Sequence, residues 1–554
     1  MRGAALLCLL LTAGCASQSA IARRSAAATR MLEVLGEADP EAITHLGLRG
    51  FESKTHDPAR TAAADAKALE DAAAHFAKLI AEEPDREARI DFEILRGTAQ
   101  RLAERVRLHD RLLVDLPDLS RIVYQGLQPG LTPGVGDVLR AGAAARLKVY
   151  AGPAFVADAM ANVRKDLGDG KLPPWSGQVR ARLAAARQLD AESVKLAKQA
   201  ELPEADALAL QLSAWEQFLE SELTLASRDD FRPPREVYAL ELRDQGIEQE
   251  PDALAADAHA AFEATYAEWR ALATELGGEP AAVLARLKEK QLTGEPLLQA
   301  LTRANLELES VIHREKLLTL PKRPLATRFS TPAEAAMNPV PTIDVRGFVG
   351  GQREIAVLVP PAPPPGMASA YDDFSFEAAA VPLAAHEGRP GHELQFTHAG
   401  ERGLSVTRTL FAFNTVNIEG WGLYAEKLMR PFMAKEARFV SLQFLLVRQA
   451  RAFLEPELVL GKIGEQQVRE VLGKQLGCSK ALVEQELRRY QFESRGQAPA
   501  YFVGLRKLEE LRTRAEAKLG SGFSPLKFHD AVLDQGFVPV ALLADGVLAD
   551  LTGD

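Results

Sequence analysis

Long stretches rich in Ala, Leu, Glu, Lys and Arg, separated by short Pro- and Gly-rich breaks, constrain the fold of this 554-residue chain most strongly. Residues 62–83 (AAADAKALEDAAAHFAKLIAEE), 175–201 and 253–277 combine strong helix formers with apolar residues at helical spacing. Turn-forming residues that end helices fall at 127–137, 165–174 and 228–234. These features predict a mainly α-helical fold built from many helices.

The composition changes near residue 320. Residues 321–366 are rich in proline, and helical composition returns at about Phe374. Within this segment, residues 354–360 (EIAVLVP) form an apolar, partly β-branched run that is typical of a strand. The prolines at its end favour an edge position in a small sheet, with an internal strand as the alternative. We therefore expect a small β-strand insert beside the helix that follows.

These changes divide the sequence into four segments. We predict a signal peptide at residues 1–15, a tether at residues 16–30, an N-terminal helical region at residues 31–320, and a catalytic region at residues 321–554. The last region would contain the small sheet and a second set of helices.

The first residues, MRGAALLCLLLTAGC, have the pattern of an export signal. Arg2 supplies the positive charge, and the apolar run at residues 4–11 is too short to span a bilayer. Cys15 resembles the lipidated cysteine of bacterial lipoproteins, although Thr12 stands where leucine is preferred. Lipid chains on Cys15 would anchor the protein without a spanning helix. We expect a lipid-anchored protein at the periplasmic face of the cell envelope, on the outer membrane, or a secreted or periplasmic protein if Cys15 is not lipidated.

Charge and cysteine content exclude several classes. The chain has 66 basic and 76 acidic residues, a net charge of -10, so no basic surplus exists to neutralise nucleic-acid phosphates. We therefore expect no nucleic-acid partner. Of three cysteines, Cys8 and Cys15 belong to the signal region, which leaves Cys478 without an internal disulfide partner.

The stretch HEGRPGHELQ, residues 386–395, contains a candidate metal site. Zinc-binding helices of the HExxH kind hold their two histidines four residues apart on one face. His386 and His392 are six apart, which on an unbroken helix separates them by about 240°. Pro390 and Gly391 predict a helix break that could turn His392 back towards His386. The alternative is a plain helix end with two solvent-facing histidines, and the spacing alone does not decide.

A carboxylate is the usual third ligand beside two histidines in zinc hydrolases, where the fourth position is left open for water. Residues 414–429 (NTVNIEGWGLYAEKLM) predict an amphipathic helix with Glu419 and Glu426 on one face. Glu419, between an apolar residue and a glycine, is the better inward-facing candidate. Either glutamate could instead be a solvated charge, and Glu426 could pair with Lys427.

Three blocks resemble the bacterial family catalogued as domain of unknown function 885. They are residues 386–395, residues 419–428 (EGWGLYAEKL) and residues 488–512, which contain RGQAPAYFVG. The family shows HE-x-x-PGHHLQ, EGWALYAE and a tyrosine-bearing segment that ends in PGQAL-x-Y-x-x-G, and it is grouped with gluzincin-type zinc metallopeptidases.

The resemblance implies a role for each matching position. His386, His392 and Glu419 would bind one Zn²⁺ ion, and Glu387 would act as the general base. The chain departs from the family at three places: Glu393 stands where a second histidine is usual, Gly422 replaces an alanine, and residues 495–499 (RGQAP) replace the proline-led PGQAL. None of these departures removes a proposed ligand, but the first puts in doubt any contribution of position 393 to substrate binding or to the support of the ligands.

This set of residues suffices for water-mediated amide hydrolysis. Zinc lowers the pKa of a bound water towards ~7, and Glu387 can take its proton and return it to the leaving amine. Tyr501 and, after it, Tyr490 are candidates to stabilise the oxyanion, although either could be ordinary aromatic packing. Candidates to support the ligands or contact the substrate are Glu426, Gln497 and Arg489.

We therefore predict a zinc-dependent hydrolase, in the first place a peptidase. An edge strand could pair with an extended peptide backbone, which favours a peptide substrate. Two alternatives remain: a metal-dependent hydrolase of another bond, and an exported lipoprotein with an inactive site that binds or acts as a scaffold.

Overall fold

The computed structural model describes residues 18–57, 60–132, 134–345, 355–363 and 369–553. Two compact units follow one another along the chain, Gln18–Val237 and Tyr238–Asp554. The structure is 72% helical with one small sheet, which confirms the predicted mainly α-helical, multi-helix fold. No helix within these ranges is long and apolar enough to cross a membrane. The predicted signal peptide, including Cys15, lies outside the described residues.

The first unit is a set of helices around an apolar core. Capping side chains explain several helix starts: Thr61, Asp85 and Asp118 each accept a hydrogen bond from the backbone N–H three residues on. Its core includes Trp215, which is completely buried. The helices are α1 (Gln18–Ala38), α2 (Pro40–His45), α3 (Ala62–Glu82), α4 (Arg86–Leu112), α5 (Leu119–Leu131), α6 (Asp137–Tyr150), α7 (Pro153–Gly168), α8 (Ser176–Gln199), α9 (Ala205–Phe218) and α10 (Thr224–Ala226), with a π-helical turn at Leu219–Leu223.

The predicted tether at residues 16–30 is helical from Gln18 onwards, because α1 covers it. Two arginines attach this helix to other residues of the first unit, at the end of α3 and in α4. Arg23 makes two hydrogen bonds of 2.6 Å to Glu83, and Arg24 makes one of 2.7 Å to Asp91. These ion pairs give the segment fixed partners that its composition did not indicate.

The second unit contains the predicted catalytic region and extends further towards the N-terminus. The chain divides between Val237 and Tyr238, so the assignment of 31–320 and 321–554 as separate regions does not coincide with the two units. The compositional change near residue 320 marks the start of the sheet inside the second unit. Its helices are α11 (Arg235–Asp244, from the end of the first unit), α12 (Pro251–Glu275), α13 (Pro280–Lys288), α14 (Glu295–Glu315), α15 (Pro332–Met337), α16 (Glu377–Glu387), α17 (His392–Arg402), α18 (Val406–Phe411), α19 (Thr415–Met429), α20 (Lys435–Val459), α21 (Glu465–Arg469), α22 (Lys480–Arg488), α23 (Ala500–Leu519), α24 (Pro525–Asp534) and α25 (Val540–Thr552).

Three short strands form one sheet: β1 (Ala326–Phe329), β2 (Thr342–Asp344) and β3 (Ala356–Val359). β3 lies in the centre, parallel to β1 and antiparallel to β2. The predicted strand is therefore present, but its predicted edge position is wrong. Its two prolines follow the last paired residue and remove no hydrogen bond from the ladder, while its four buried apolar residues suit a central strand.

The sheet lies beside the helix that begins at His392, as expected for the insert. Ile355, just before β3, belongs to one apolar cluster with Phe396 and Ala399 of α17 and Ile418 of α19. The sheet thus packs against the apolar sides of α17, which carries His392, and of α19, which carries Glu419.

Helix α20 is the central helix of the second unit, with nearly every side chain from residue 437 to residue 459 buried. It packs against α12, α16 and α23. Helix α19 also packs against α23, and the two backbones approach at a pair of glycines. A Cβ on Gly420 would lie 2.5 Å from the Cα of Gly504, and a Cβ on Gly504 would lie 2.1 Å from the carbonyl oxygen of Val416. This close approach brings Tyr501, one turn before Gly504, next to the helix that carries Glu419.

We predict that Gly504→Ala destabilises the protein by about 1–3 kcal/mol, because the added methyl group must push α19 and α23 apart. Urea unfolding measures the change. The control is Gly400→Ala, an exposed helical position with no neighbouring atom within 4 Å, which should leave stability unchanged or raise it by up to about 1 kcal/mol. Equal effects of the two substitutions would contradict the close packing of the glycine pair.

Candidate metal centre

The chain makes a tight turn between α16 and α17, at residues 388–391. Two glycines there have no room for a side chain: a Cβ on Gly388 would lie 1.9 Å from Oδ1 of Asn305, and a Cβ on Gly391 would lie 1.9 Å from the carbonyl oxygen of His386. The Arg389–Pro390 peptide bond is cis. Across this turn the two histidine rings meet edge to face, with centroids 4.6 Å apart and planes at 82°. The break thus brings His386 and His392 together.

An ionic network around Arg389 and Glu393 holds this turn in place. Arg389 donates hydrogen bonds of 2.7 Å to Glu393 and to Glu309, and one of 3.1 Å to the carbonyl oxygen of Arg323. Arg323 in turn donates to Glu393 at 2.8 Å. The carboxylate of Glu393 is fully buried and pairs with these two arginines. It therefore stabilises the turn between the helices and does not contact the histidine cluster.

Glu419 of α19 completes the cluster. Its Oε2 lies 3.5 Å from Nε2 of His386 and 3.4 Å from Nε2 of His392. The three candidate ligand atoms all lie within 4.8 Å of one another. A search of the described residues for three or more His, Cys, Asp or Glu side chains close enough to hold a metal ion finds this group alone.

The two distances from Glu419 to the histidines fit a shared zinc ion. Two ligand atoms that share a tetrahedral zinc at about 2.0–2.2 Å lie roughly 3.3–3.6 Å apart. The two measured separations from Glu419 fall in that range. Oε2 of Glu419 is buried and, within the described ranges, accepts no hydrogen bond, so this oxygen has unused coordination capacity. Two imidazoles and one carboxylate also form a donor set that zinc commonly takes.

One face of α19 forms a cradle for the ring of His386. Glu419 lies at its Nε2, and Oε1 of Glu426 lies 2.8 Å from its Nδ1. Gly422 stands between the two glutamates, and a Cβ there would lie 2.6 Å from Cε1 of the ring. The spacing of Glu419, Gly422 and Glu426 puts all three on one helix face. Glu426 is thus placed to orient His386, as carboxylates do for metal-binding histidines.

The charges of the cluster favour a cation between the carboxylates. Burial lowers the pKa of His386, but Glu419 and Glu426 outweigh burial and raise it to about 10. Burial raises the pKa of Glu419, but the two histidines outweigh it and hold that pKa well below its usual value. In the metal-free protein, a proton on His386 supplies the positive charge that this arrangement stabilises.

Glu387 follows His386 directly and is half-buried. Burial raises the pKa of its carboxyl, while His386 and His392 act in the opposite direction. Within the described residues, no hydrogen bond or ion pair of this carboxylate is found. A carboxylate next to the candidate ligands is therefore free to bind a water or a substrate group.

The two candidate tyrosines lie in different surroundings. The ring of Tyr501 is 6.4 Å from that of His386 and nearly parallel to it, and burial together with Glu419 raises its pKa to about 12. Tyr490 is completely buried, with Glu486, Arg451 and Arg489 as its charged neighbours, and burial raises its pKa well above the usual value. Tyr501 can act on a group bound at the cluster, whereas the surroundings of Tyr490 are those of a core residue.

The remaining predicted residues lie close to Tyr501. Arg489 donates hydrogen bonds to Glu486 at 2.8 Å and to the side-chain oxygen of Gln497, and it lies beside Tyr501. His398, the third histidine of the segment, contacts Asp534 instead, at 2.7 Å.

Sequence reasoning missed the polar residues of α20. Arg448, Arg451 and Glu455 are all buried on a helix whose side chains from residue 437 to residue 459 are nearly all buried. Their spacing was a usable signal, because three charged residues at i, i+3 and i+7 lie on one face of a helix and, when that face is buried, need internal ionic partners.

The fold and the cluster define a mainly α-helical protein with a candidate metal site of two histidines and one glutamate. The chain belongs to the family described as "Bacterial protein of unknown function (DUF885)", whose model matches residues 40–547. This match confirms the family resemblance seen in the three sequence blocks. None of the curated proteins matches the chain significantly.

Two solved structures share the fold. The first is described as a putative lipoprotein of unknown function from Shewanella oneidensis, with a TM-score of 0.76 and 16% identity over 94% of this chain and 99% of that one. The second is described as the putative lipoprotein from Colwellia psychrerythraea, with a TM-score of 0.68 and 16% identity over 96% of this chain and 100% of that one.

We predict that Glu393→Gln destabilises the protein by roughly 2–5 kcal/mol, because it leaves the buried Arg389 and the partly exposed Arg323 without their shared carboxylate. Urea unfolding measures the loss. Glu401→Gln, an exposed position on the same helix, is the control and should change stability by less than about 0.5 kcal/mol. Similar values for both variants would show that the network does not hold the turn.

Proposed function

We propose that the protein is a zinc-dependent hydrolase that cleaves peptide bonds, related to the gluzincin group of metallopeptidases. The observation that carries this proposal is that Glu419 lies at separations expected around one zinc ion from both His386 and His392, next to the unpaired carboxylate of Glu387. The alternatives of another metal-dependent hydrolase and of an inactive binding protein become outcomes of the tests below.

The side chains have distinct roles in this proposal. A zinc ion would lower the pKa of a water and polarise a substrate carbonyl. Glu387 would accept a proton from water and pass it to the leaving amine. Tyr501 would donate a hydrogen bond to the oxygen that gains negative charge, since its high pKa keeps the hydroxyl protonated. Glu426 would fix the orientation of His386.

We propose further that the protein is exported and lipid-anchored at Cys15, facing the periplasm. The export signal at residues 1–15 supports this location, and both similar structures are described as putative lipoproteins. Cys15→Ala should move the protein from the membrane fraction to the soluble fraction of the cells. Retention of this variant in the membrane fraction would refute the lipid anchor.

For the metal, we expect one zinc ion per chain when the purified protein is examined by plasma mass spectrometry. Glu426→Gln should weaken zinc binding by about 10–100-fold, because His386 loses the carboxylate that orients it. Competition with a zinc chelator measures the affinity. Glu436→Gln, an exposed glutamate at the start of α20, should bind zinc like the wild type. Absence of zinc, or a zinc content that His386→Ala leaves unchanged, would exclude the proposed site.

For the reaction, we expect Glu387→Gln to lower peptide hydrolysis by about 10²–10⁴-fold while zinc remains bound, because the variant cannot accept a proton. Mass spectrometry of a digested peptide library measures the activity. The matched control is Glu377→Gln at the exposed start of the same helix, which should keep full activity. A zinc-loaded wild type that cleaves no peptide would favour another bond or a binding role.

A further inference from the structure

Two arginines beside Tyr501, of which Arg451 is buried and Arg489 half-buried, share one carboxylate. Arg451 and Arg489 each donate to the same oxygen of Glu486, at 2.7 and 2.8 Å, and we call these three residues the arginine cluster. The guanidinium of Arg451 lies 5.0 Å from the ring centre of Tyr501. The cluster is therefore next to the tyrosine that lies beside His386.

The arginine cluster carries an excess of positive charge. Glu486 is fully buried and, among the described residues, is the one acid that pairs with both arginines. The neighbouring Glu455 forms no ion pair with either arginine within these residues, because it accepts hydrogen bonds from the hydroxyl of Tyr238 and from the backbone N–H groups of Gly496 and Ala498. Buried charge without a counter-charge is costly, so an anion bound here would be stabilised.

Arg448, three residues before Arg451, adds to the excess. It is also buried, and its nearest acid is Glu426, at 3.8 Å. The same oxygen of Glu426 lies 2.8 Å from His386, so one carboxylate serves both groups. Nε of Arg448 and Nε of Arg451 are buried and, among the described residues, have no hydrogen-bond partner. Three arginines therefore depend on two acids, one of which is shared with a candidate metal ligand.

Part of the arginine cluster is accessible. The side chain of Arg489 is 16% exposed, and Gln497 is half-buried. Arg489 donates a hydrogen bond to the side-chain oxygen of Gln497 and lies beside Tyr501. A guanidinium, an amide and a phenol thus lie close together. This combination of donors suits a carboxylate, which accepts several hydrogen bonds and brings the missing negative charge.

We propose that Arg489, Arg451 and Gln497 form a subsite for the C-terminal carboxylate of a peptide, so that the protein acts on bonds near a free chain end. The cleavage part of this inference rests on the proposed function, but the carboxylate subsite does not. Tyr501 lies 6.4 Å from the His386 ring and 5.0 Å from Arg451. Since an extended residue spans about 3.3–3.6 Å, the subsite is within roughly three residues of the candidate metal ligands.

The test compares three N-terminally labelled tetrapeptides on zinc-loaded Glu387→Gln protein by fluorescence polarisation. One ends in a free carboxylate, one is its C-terminal amide, and one is an amide whose last residue is glutamate. We expect the free acid to bind at least about tenfold more tightly than either amide, as for the loss of a charged hydrogen bond. Equal binding of acid and amide would overturn the subsite, and tight binding of the glutamate amide would overturn the preference for a chain end.

Two arginine variants identify the residues responsible. Arg489→Gln, added to Glu387→Gln, should remove the difference between acid and amide. Arg488→Gln changes the exposed arginine directly before Arg489 and should leave the difference between acid and amide unchanged. Circular dichroism and zinc content establish whether each variant is folded; if Arg489→Gln is not, the comparison of acid and amide on the parent protein still decides. A difference in binding without any cleavage by the wild type would support the subsite and reject the peptidase proposal.

Discussion

The candidate site depends on the contact between the ring of His386 and one face of α19. Glu419 and Glu426 lie at the two nitrogens of that ring, and Gly422 leaves space between them. An imidazole held from both sides in this way has a defined orientation before any ligand arrives. The tight turn before α17 then brings His392 next to His386, and the close approach of α19 and α23 brings Tyr501 beside the same ring. Each of these steps requires that a glycine lack a side chain, at position 391, 422 or 504.

Much of this arrangement could be predicted from the sequence. The break at Pro390 and Gly391 follows from the backbone chemistry of proline and glycine, which is local and readable. The periodicity of residues 414–429 correctly placed Glu419 and Glu426 on one helix face. These local rules allowed the convergence of the two histidines but did not decide it, because a plain helix end was equally compatible with the spacing; the resemblance to the family favoured the metal site.

The parts that could not be predicted depend on contacts between residues far apart in the chain. Glu393 follows His392 directly, yet its partners are Arg389 and Arg323, the second of which lies 70 residues away. The edge position of β3 was wrong because strand order depends on which segments pair, and β1 and β2 had no clear signal of their own. The division at Val237 is likewise a property of packing, which composition does not report.

Helix α20 has a consequence for how the second unit folds. Its buried charges find their partners on other elements: Glu426 on α19, Glu486 on α22, and Tyr238 on α11, which donates to Glu455 at 3.0 Å. Burying this helix without those elements would leave several charges unpaired, at a cost of several kcal/mol each. The core and the surroundings of the candidate site therefore form together, and we expect the unit to unfold as one cooperative block.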